Sequence, residues 1–139
     1  MQHTLILIKP DGVKKGKVGY VISYFEKDGL RLAGMKLIKL DDVILDTWYA
    51  HHSDKPFFKD LKDYMKQTPV VAAVLEGENA VSRVRDICGP TDSSKAPKGT
   101  IRGDHGVSIQ ENVIHASDAV ERAKEEIKLL FGEGEVFSY

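Results

Sequence analysis

Residues 4–40 read TLILIKPDGVKKGKVGYVISYFEKDGLRLAGMKLIKL. The opening run to Lys9 is dense in Leu and Ile and stops at Pro10-Asp11-Gly12, which predicts a buried strand ending in a turn. Val18, Val21, Ile22 and Phe25 then recur at helical spacing, with Gly29 beyond the last of them. That is the pattern of an amphipathic helix with a C-terminal glycine stop. LRLAGMKLIKL (30–40) returns to a strand. One strand–helix–strand unit is complete, and the fold depends on whether a second follows.

The rest of the chain supplies one. Asp41-Asp42 offer N-caps for a helix through Trp48 and Tyr49, and Pro56 before FFKDLKDYM (57–65) predicts another short helix. VVAAVLE (70–76) reads as a third buried strand. Asn79 is placed to cap a helix carrying Val81, Val84, Ile87 and Cys88, ended by Gly89-Pro90. A brief strand at Asn112–His115 and a helix from Asp118 to about Phe131 close the order. This predicts an α+β fold: a ferredoxin-like split β-α-β sandwich, a four-stranded, mostly antiparallel sheet with helices on its faces. A small doubly wound parallel sheet is the competing arrangement. Residues 89–111 break the rhythm, and a loop of that length inside a small domain marks a functional or a disordered segment.

The 139 residues suit a single domain, 1–139, with one core. The net charge is only −1, so nothing in the total predicts non-specific attraction to nucleic acid or acidic lipid. Cys88 is the only cysteine, which excludes an intrachain disulfide and a cysteine metal cage. The apolar runs LILI (5–8) and VVAAVL (70–75) are too short to span a bilayer, and MQHTLILIKPDG lacks the features of a signal peptide. A soluble cytoplasmic protein is expected, with no membrane partner.

Within the last helix, Asp118 and Glu121 resemble a capping box. Ala119, Val120, Ala123, Ile127, Leu130 and Phe131 share one face; Glu121, Lys124, Glu125 and Lys128 share the other. Glu126 does neither. At about 100° per residue it falls beside Ala119 and Leu130, at the edge of the apolar stripe, where an unpartnered carboxylate is costly. It either reaches past the stripe to water or to Arg122, or it meets His115 across the strand-to-helix turn. In the second case the carboxylate fixes the imidazole tautomer and leaves the free nitrogen more nucleophilic.

Signals for phosphate are dispersed. Lys9 places an ammonium at a strand's C-terminal mouth, although alone it reads as an ordinary strand-end lysine. GVKKGKV (12–18) fails as a phosphate loop, because its glycines enclose three residues and Val18 follows Lys17. No GxGxxG is present. Arg85 near a helix end, with Thr91, Lys95, Lys98 and Arg102 in the long loop, could clamp an anion or could form a solvated surface. The histidines at 3, 51, 52, 105 and 115 make no metal-binding pattern, and adjacent His51-His52 cannot share a helical face. Tyr49, Phe57 and Phe58 are by default core aromatics, but an edge phenylalanine there could also stack on a nucleobase.

LILIKPDGV (5–13), YAHHSDKPFF (49–58), TPVVAAVLEG (68–77), GPTDSSKAPKGTIRGDHG (89–106) and NVIHASD (112–118), in that order, resemble the nucleoside diphosphate kinase family over essentially the whole chain. The resemblance implies a ferredoxin-like core and transfer of a γ-phosphoryl group between nucleoside tri- and diphosphates through a phosphohistidine. It implies His115 as nucleophile, Glu126 as the carboxylate that orients it and Ser117 as the hydroxyl supporting that pair. Lys9, Tyr49 and Asn112 correspond to residues around the γ-phosphate, the sugar hydroxyl and the histidine. Arg85, Thr91 and Arg102 correspond to the triphosphate clamp, and Phe57 and Ile109 to the two sides of a base slot walled by Leu61. Mg2+ held mainly by the nucleotide, rather than by protein ligands, is implied as well, as is a homo-oligomer, hexamer or tetramer. Ala116, Ser93, His105 and Glu111 depart from the family's usual Gly, Pro, Phe and basic residue. The rival class is a ferredoxin-like binding module, regulatory or RNA-binding; the strands lack the interleaved aromatics of an RNA-binding module, so nucleic acid is not an expected partner.

Overall fold

The strands that read as continuous apolar runs are the central ones. The computed structural model describes residues 1–50 and 54–139, and His51 and His52 lie outside the described residues. Within it, β1 (Gln2–Ile8) and β3 (Val70–Gly77) lie side by side and are buried on both faces along most of their length. Strand β2 (Arg31–Ile38) is an edge, and its alternating exposure fits a strand with one covered face. Strand β4 (Ile114–Ala116) forms the other edge, giving the order β2-β3-β1-β4. All three pairings are antiparallel, which excludes the doubly wound alternative and yields the expected ferredoxin-like sheet.

Because strand side chains alternate, each central strand feeds two cores. Ile6, Ile8, Ala73 and Leu75 pack with Val21 and Phe25 of helix α2 (Val18–Lys27) and Val84 of α5 (Ala80–Cys88). Leu5, Leu7, Ala72 and Val74 pack on the opposite face. There they meet Leu45 and Trp48 of α3 (Asp42–Trp48), Met65 of α4 (Phe58–Met65) and Leu130 of α7 (Val120–Leu130). Among the described residues no helix is long and apolar enough to cross a membrane.

Several local expectations are corrected. Pro10-Asp11-Gly12 is no turn but the start of a short helix, α1 (Pro10–Lys14), with Pro at its first position, where a missing N–H costs nothing. Asp41 does cap α3, its side chain accepting from Ile44 N. Asn79 occupies the N-cap position of α5 in a left-handed conformation (φ 52°) and makes no side-chain cap. Nor does the Asp118 box form: α7 begins after Ala119, and Asp118 and Val120 are exposed. Residues 89–111 are not irregular throughout. They contain a 3-10 turn (Ser93–Lys95) and α6 (Ile101–His105), whose N-cap Thr100 accepts from Gly103 N. The last strand starts two residues later than expected, because Val113 sits at φ 75°.

Candidate active site

Strand β4 is only three residues long, and its register decides where His115 points. Ile114 and Ala116 enter the core beneath α5, so His115, paired opposite Leu7, faces the other way with its side chain 27% exposed. Helix α7 crosses the same face and presents Glu126, which is 1% exposed. The misfit glutamate thus lies within the buried face rather than at its edge. Its Oε2 is 2.9 Å from His115 Nε2, and Ser117 Oγ donates to Oε1 at 2.6 Å. Trp48 Nε1 also donates to Oε2, at 2.5 Å. The two readings of Glu126 are both satisfied, for Arg122 Nε comes within 3.7 Å of the same oxygen.

Burial alone would push the Glu126 carboxyl up, but the hydrogen bonds from His115, Ser117 and Trp48 outweigh it and hold the group below the ordinary carboxylate range. An ionised carboxylate only accepts, so the Nε2 that meets it carries the hydrogen and Nδ1 is left with the lone pair. The Trp48 ring meets the imidazole edge-on, with centroids 5.2 Å apart at 89°.

His115 and Glu126 lie in a cleft of about 380 Å³. Lys9, Arg85, Thr91, Arg102 and Asn112 line its polar side; Tyr49, Leu61, Met65 and Ile109 line the rest. Lys9 follows β1, and its Nζ donates to Asn112 Oδ1 at 2.9 Å and to the Gln110 carbonyl at 2.6 Å. Burial lowers its pKa to about 8; Asp11 opposes the shift and the Arg102 charge adds to it. Arg102 is buried, donating to the Gly89 and Ile114 carbonyls at 2.7 and 2.6 Å, while its Nε has no hydrogen-bond partner among the described residues. Asn112 Nδ2 donates to the Thr91 carbonyl at 3.0 Å, so the two ends of the long segment are tied together beside the histidine. Tyr49 stacks on Trp48; burial and the Glu126 charge push its phenol up to about 12, so it remains a donor.

The structure therefore brings together His115, Glu126, Lys9, Tyr49, Asn112, Arg85, Thr91, Arg102, Leu61 and Ile109. Ser117 is fully buried behind Glu126. Phe57, at the N-cap of α4, is 51% exposed and is not among the lining residues. Sequence reasoning missed Trp48 as a partner of Glu126, and it missed Asp11. That carboxylate is buried, accepting from Tyr64 Oη at 2.6 Å and from Val113 N at 3.0 Å. The signal for Asp11 was its place in the tight Pro-Asp-Gly stretch; Trp48 carried none beyond its helical position.

Of the lining carboxylates, Glu126 is committed to its own hydrogen bonds and Asp118 stands exposed at the rim. Among the described residues no group of three His, Cys, Asp or Glu could hold a metal ion.

The family model for nucleoside diphosphate kinase matches residues 2–136. The chain is 48% identical over 139 residues to a nucleoside diphosphate kinase of Dehalococcoides mccartyi, covering all of this chain and 98% of that one. It is 50% identical over 141 aligned positions to that of Pyrococcus horikoshii, covering 99% and 90%. Among solved structures, the nucleoside diphosphate kinase of Halobacterium salinarum in complex with CDP superposes with a TM-score of 0.95 at 38% identity, covering 99% of this chain and 92% of that one. The Aquifex aeolicus enzyme gives 0.93 at 40% identity, covering 98% and 99%.

Proposed function

The chain belongs to the nucleoside diphosphate kinase family, and from that premise we propose that His115 is the residue through which it moves the γ-phosphoryl group. As a member it transfers that group from a nucleoside triphosphate to a nucleoside diphosphate, by a ping-pong cycle through a phosphohistidine. The observation that carries the residue assignment is the buried Glu126 carboxylate 2.9 Å from His115 Nε2, at the base of a cleft rimmed by cations.

In the first half-reaction the lone pair of Nδ1 attacks the γ-phosphorus in line. The bond from phosphorus to the β-γ bridging oxygen breaks, and the diphosphate leaves with that electron pair. The Nε2 hydrogen stays on the ring, and Glu126 stabilises the positive charge that develops there. The second half-reaction runs the same steps backwards onto another diphosphate. Phosphoryl transfer asks the protein chiefly for positioning and charge neutralisation. Lys9, Arg85, Thr91 and Arg102 supply these toward the phosphates, the Nε of Arg102 being a buried donor that no described residue meets. Asn112 and Tyr49 serve the γ-phosphate and sugar, and Ser117 fixes Glu126. Phe57 and Ile109 take the two sides of the base, with Leu61 on the wall.

Mg2+ held mainly by the nucleotide phosphates would supply neutralisation of phosphate charge, beside the charges that Lys9, Arg85 and Arg102 provide. We assign the whole chain, 1–139, to one catalytic domain of a cytoplasmic homo-oligomer, hexamer or tetramer, with nucleotides rather than nucleic acid as its partners.

ATP radiolabelled at its γ position is expected to label the protein in an acid-labile form that any nucleoside diphosphate discharges. His115→Ala is expected to abolish labelling. A His115→Ala chain that still labels and turns over removes the assignment.

A further inference from the structure

Trp48 ends α3 with its side chain 1% exposed, and two separate contacts join it to the reacting pair. Its Nε1 donates to Glu126 Oε2, the same oxygen that His115 Nε2 uses, and its ring stands edge-on to the imidazole. Two further contacts hold it in place. Arg122 Nη2 donates to the Trp48 carbonyl at 2.7 Å, tying the end of α3 to α7, and the Tyr49 ring stacks on the indole at 5.7 Å and 9°. An indole carries one N–H and no acceptor, so this donor has no other use.

We propose that Trp48 is a positioning residue for phosphoryl transfer: its N–H fixes the Glu126 carboxylate and weakens Oε2 as a base, so that the proton stays on His115 Nε2 in both half-reactions. The inference rests on the reading of His115 as phosphoryl carrier. As Nδ1 bonds to phosphorus, the ring becomes cationic and its Nε2–H presses toward Oε2. An oxygen that already accepts from the indole competes less for that hydrogen. The ring then keeps the charge that makes it a good leaving group when the acceptor diphosphate attacks. Without the indole N–H, Oε2 would be both freer to rotate and more basic. The charged or titratable groups facing Glu126 are His115 from β4, Arg122 from α7 and Tyr49 at the end of α3, with Asp118 at the rim of the same cleft.

Trp48 is the only tryptophan in the chain, which permits a test that leaves shape intact. Biosynthetic replacement of tryptophan by benzothienylalanine puts sulfur where the N–H stood. The expected result is about a tenfold slower single-turnover labelling of His115 by ATP, the worth of one hydrogen bond to a charged group. The KM for nucleotide stays at the parental value, and the acid limb of the rate profile moves to higher pH because Glu126 protonates more easily. Replacement by 7-azatryptophan, which keeps an N–H, is expected to retain the parental rate and limb. A benzothienylalanine enzyme with parental rate and parental acid limb overturns the proposal, as does an equal loss in both replacements. The parental enzyme distinguishes the two inferences. If it labels at His115 while Trp48 proves silent, only the present one falls; if it does not label there, the phosphohistidine assignment falls and takes this one with it.

Discussion

Glu126 keeps its charge inside the protein only because His115, Ser117 and Trp48 share it, and that makes its removal specific in effect. Glu126→Gln retains size but withdraws the negative charge beside His115 Nε2. Labelling by ATP is expected to slow by about tenfold to a hundredfold, the range of a charged hydrogen bond, with nucleotide KM nearly unchanged. A parental rate in a single-turnover assay would remove the orienting role. The folded Glu126 carboxyl lies below its ordinary value, so its ionised form contributes stability that is full above that value and is lost as pH falls through the folded one. Lys9 has the same sign of linkage, at higher pH. Its pKa is lowered to about 8, so between about 8 and the ordinary lysine value of 10.5 the unfolded chain holds a proton the folded one has lost, and stability at this residue rises with pH. If Lys9 holds the phosphates as proposed, KM for ATP is expected to climb above about pH 8, where its ammonium is lost. A pH series of KM in the parent and in Lys9→Met checks this; an alkaline limb that survives the substitution belongs to another group. At this scale the sequence exposed Glu126, because a carboxylate on an apolar stripe is visible in a helical projection. It could not expose the Glu126–Trp48 bond, whose partners lie 78 residues apart and meet only through the packing of α3 on α7.

Helix α6 is the element that delivers Arg102, and it has no room to move. A Cβ at Gly103 would overlap the Pro97 carbonyl oxygen and lie 2.8 Å from Thr100 Oγ1, the atom that caps the helix. Backbone cannot yield cheaply there, so Gly103→Ala is expected to cost about 1–3 kcal/mol by overpacking. It should also shift the adjacent guanidinium, weakening ATP binding together with the melting temperature. Calorimetric titration and thermal melting on one sample test this, and unchanged affinity in a destabilised variant would uncouple α6 from the clamp. The elements legible in sequence were those with a clean period, such as α2, whose buried Val21, Ile22 and Phe25 and terminal Gly29 (φ 86°) were read directly. Those misread depended on surroundings. Pro10 begins a helix rather than a turn because Asp11 behind it is buried against Tyr64 and Val113, contacts that no local window contains. Asp118 was a reasonable cap by type, yet the chain stays extended through Ala119 before α7 begins. Segment 89–111 looked structureless because α6 is five residues long, too short to show a period.

The cleft draws on nearly every part of the molecule: Lys9 after β1, Tyr49 after α3, Leu61 on α4, Arg85 on α5, Arg102 on α6, His115 on β4 and Glu126 on α7. These elements cover both faces of the sheet, so a ligand that bridges them binds only when the two cores are formed together. Such a ligand stabilises the whole fold by linkage, about 2.7 kcal/mol at a hundredfold excess over its Kd. A nucleoside diphosphate is therefore expected to raise the melting temperature by several degrees. Its stabilisation should weaken with added salt, because the chain's net charge is only −1 and the attraction resides in the local cluster of Lys9, Arg85 and Arg102. ADP, GDP and CDP should act alike, since the non-phosphate wall offers Leu61, Met65 and Ile109, apolar side chains that touch a base's flat face without reading its edge. Arg102→Ala should lose most of the shift for all of them. Differential scanning calorimetry of parent and variant, with each diphosphate at two salt concentrations, decides the matter. A shift that survives loss of Arg102 would mean that the diphosphates stabilise the fold from outside this cleft, and one that depends strongly on the base would mean that the wall reads more than a flat face.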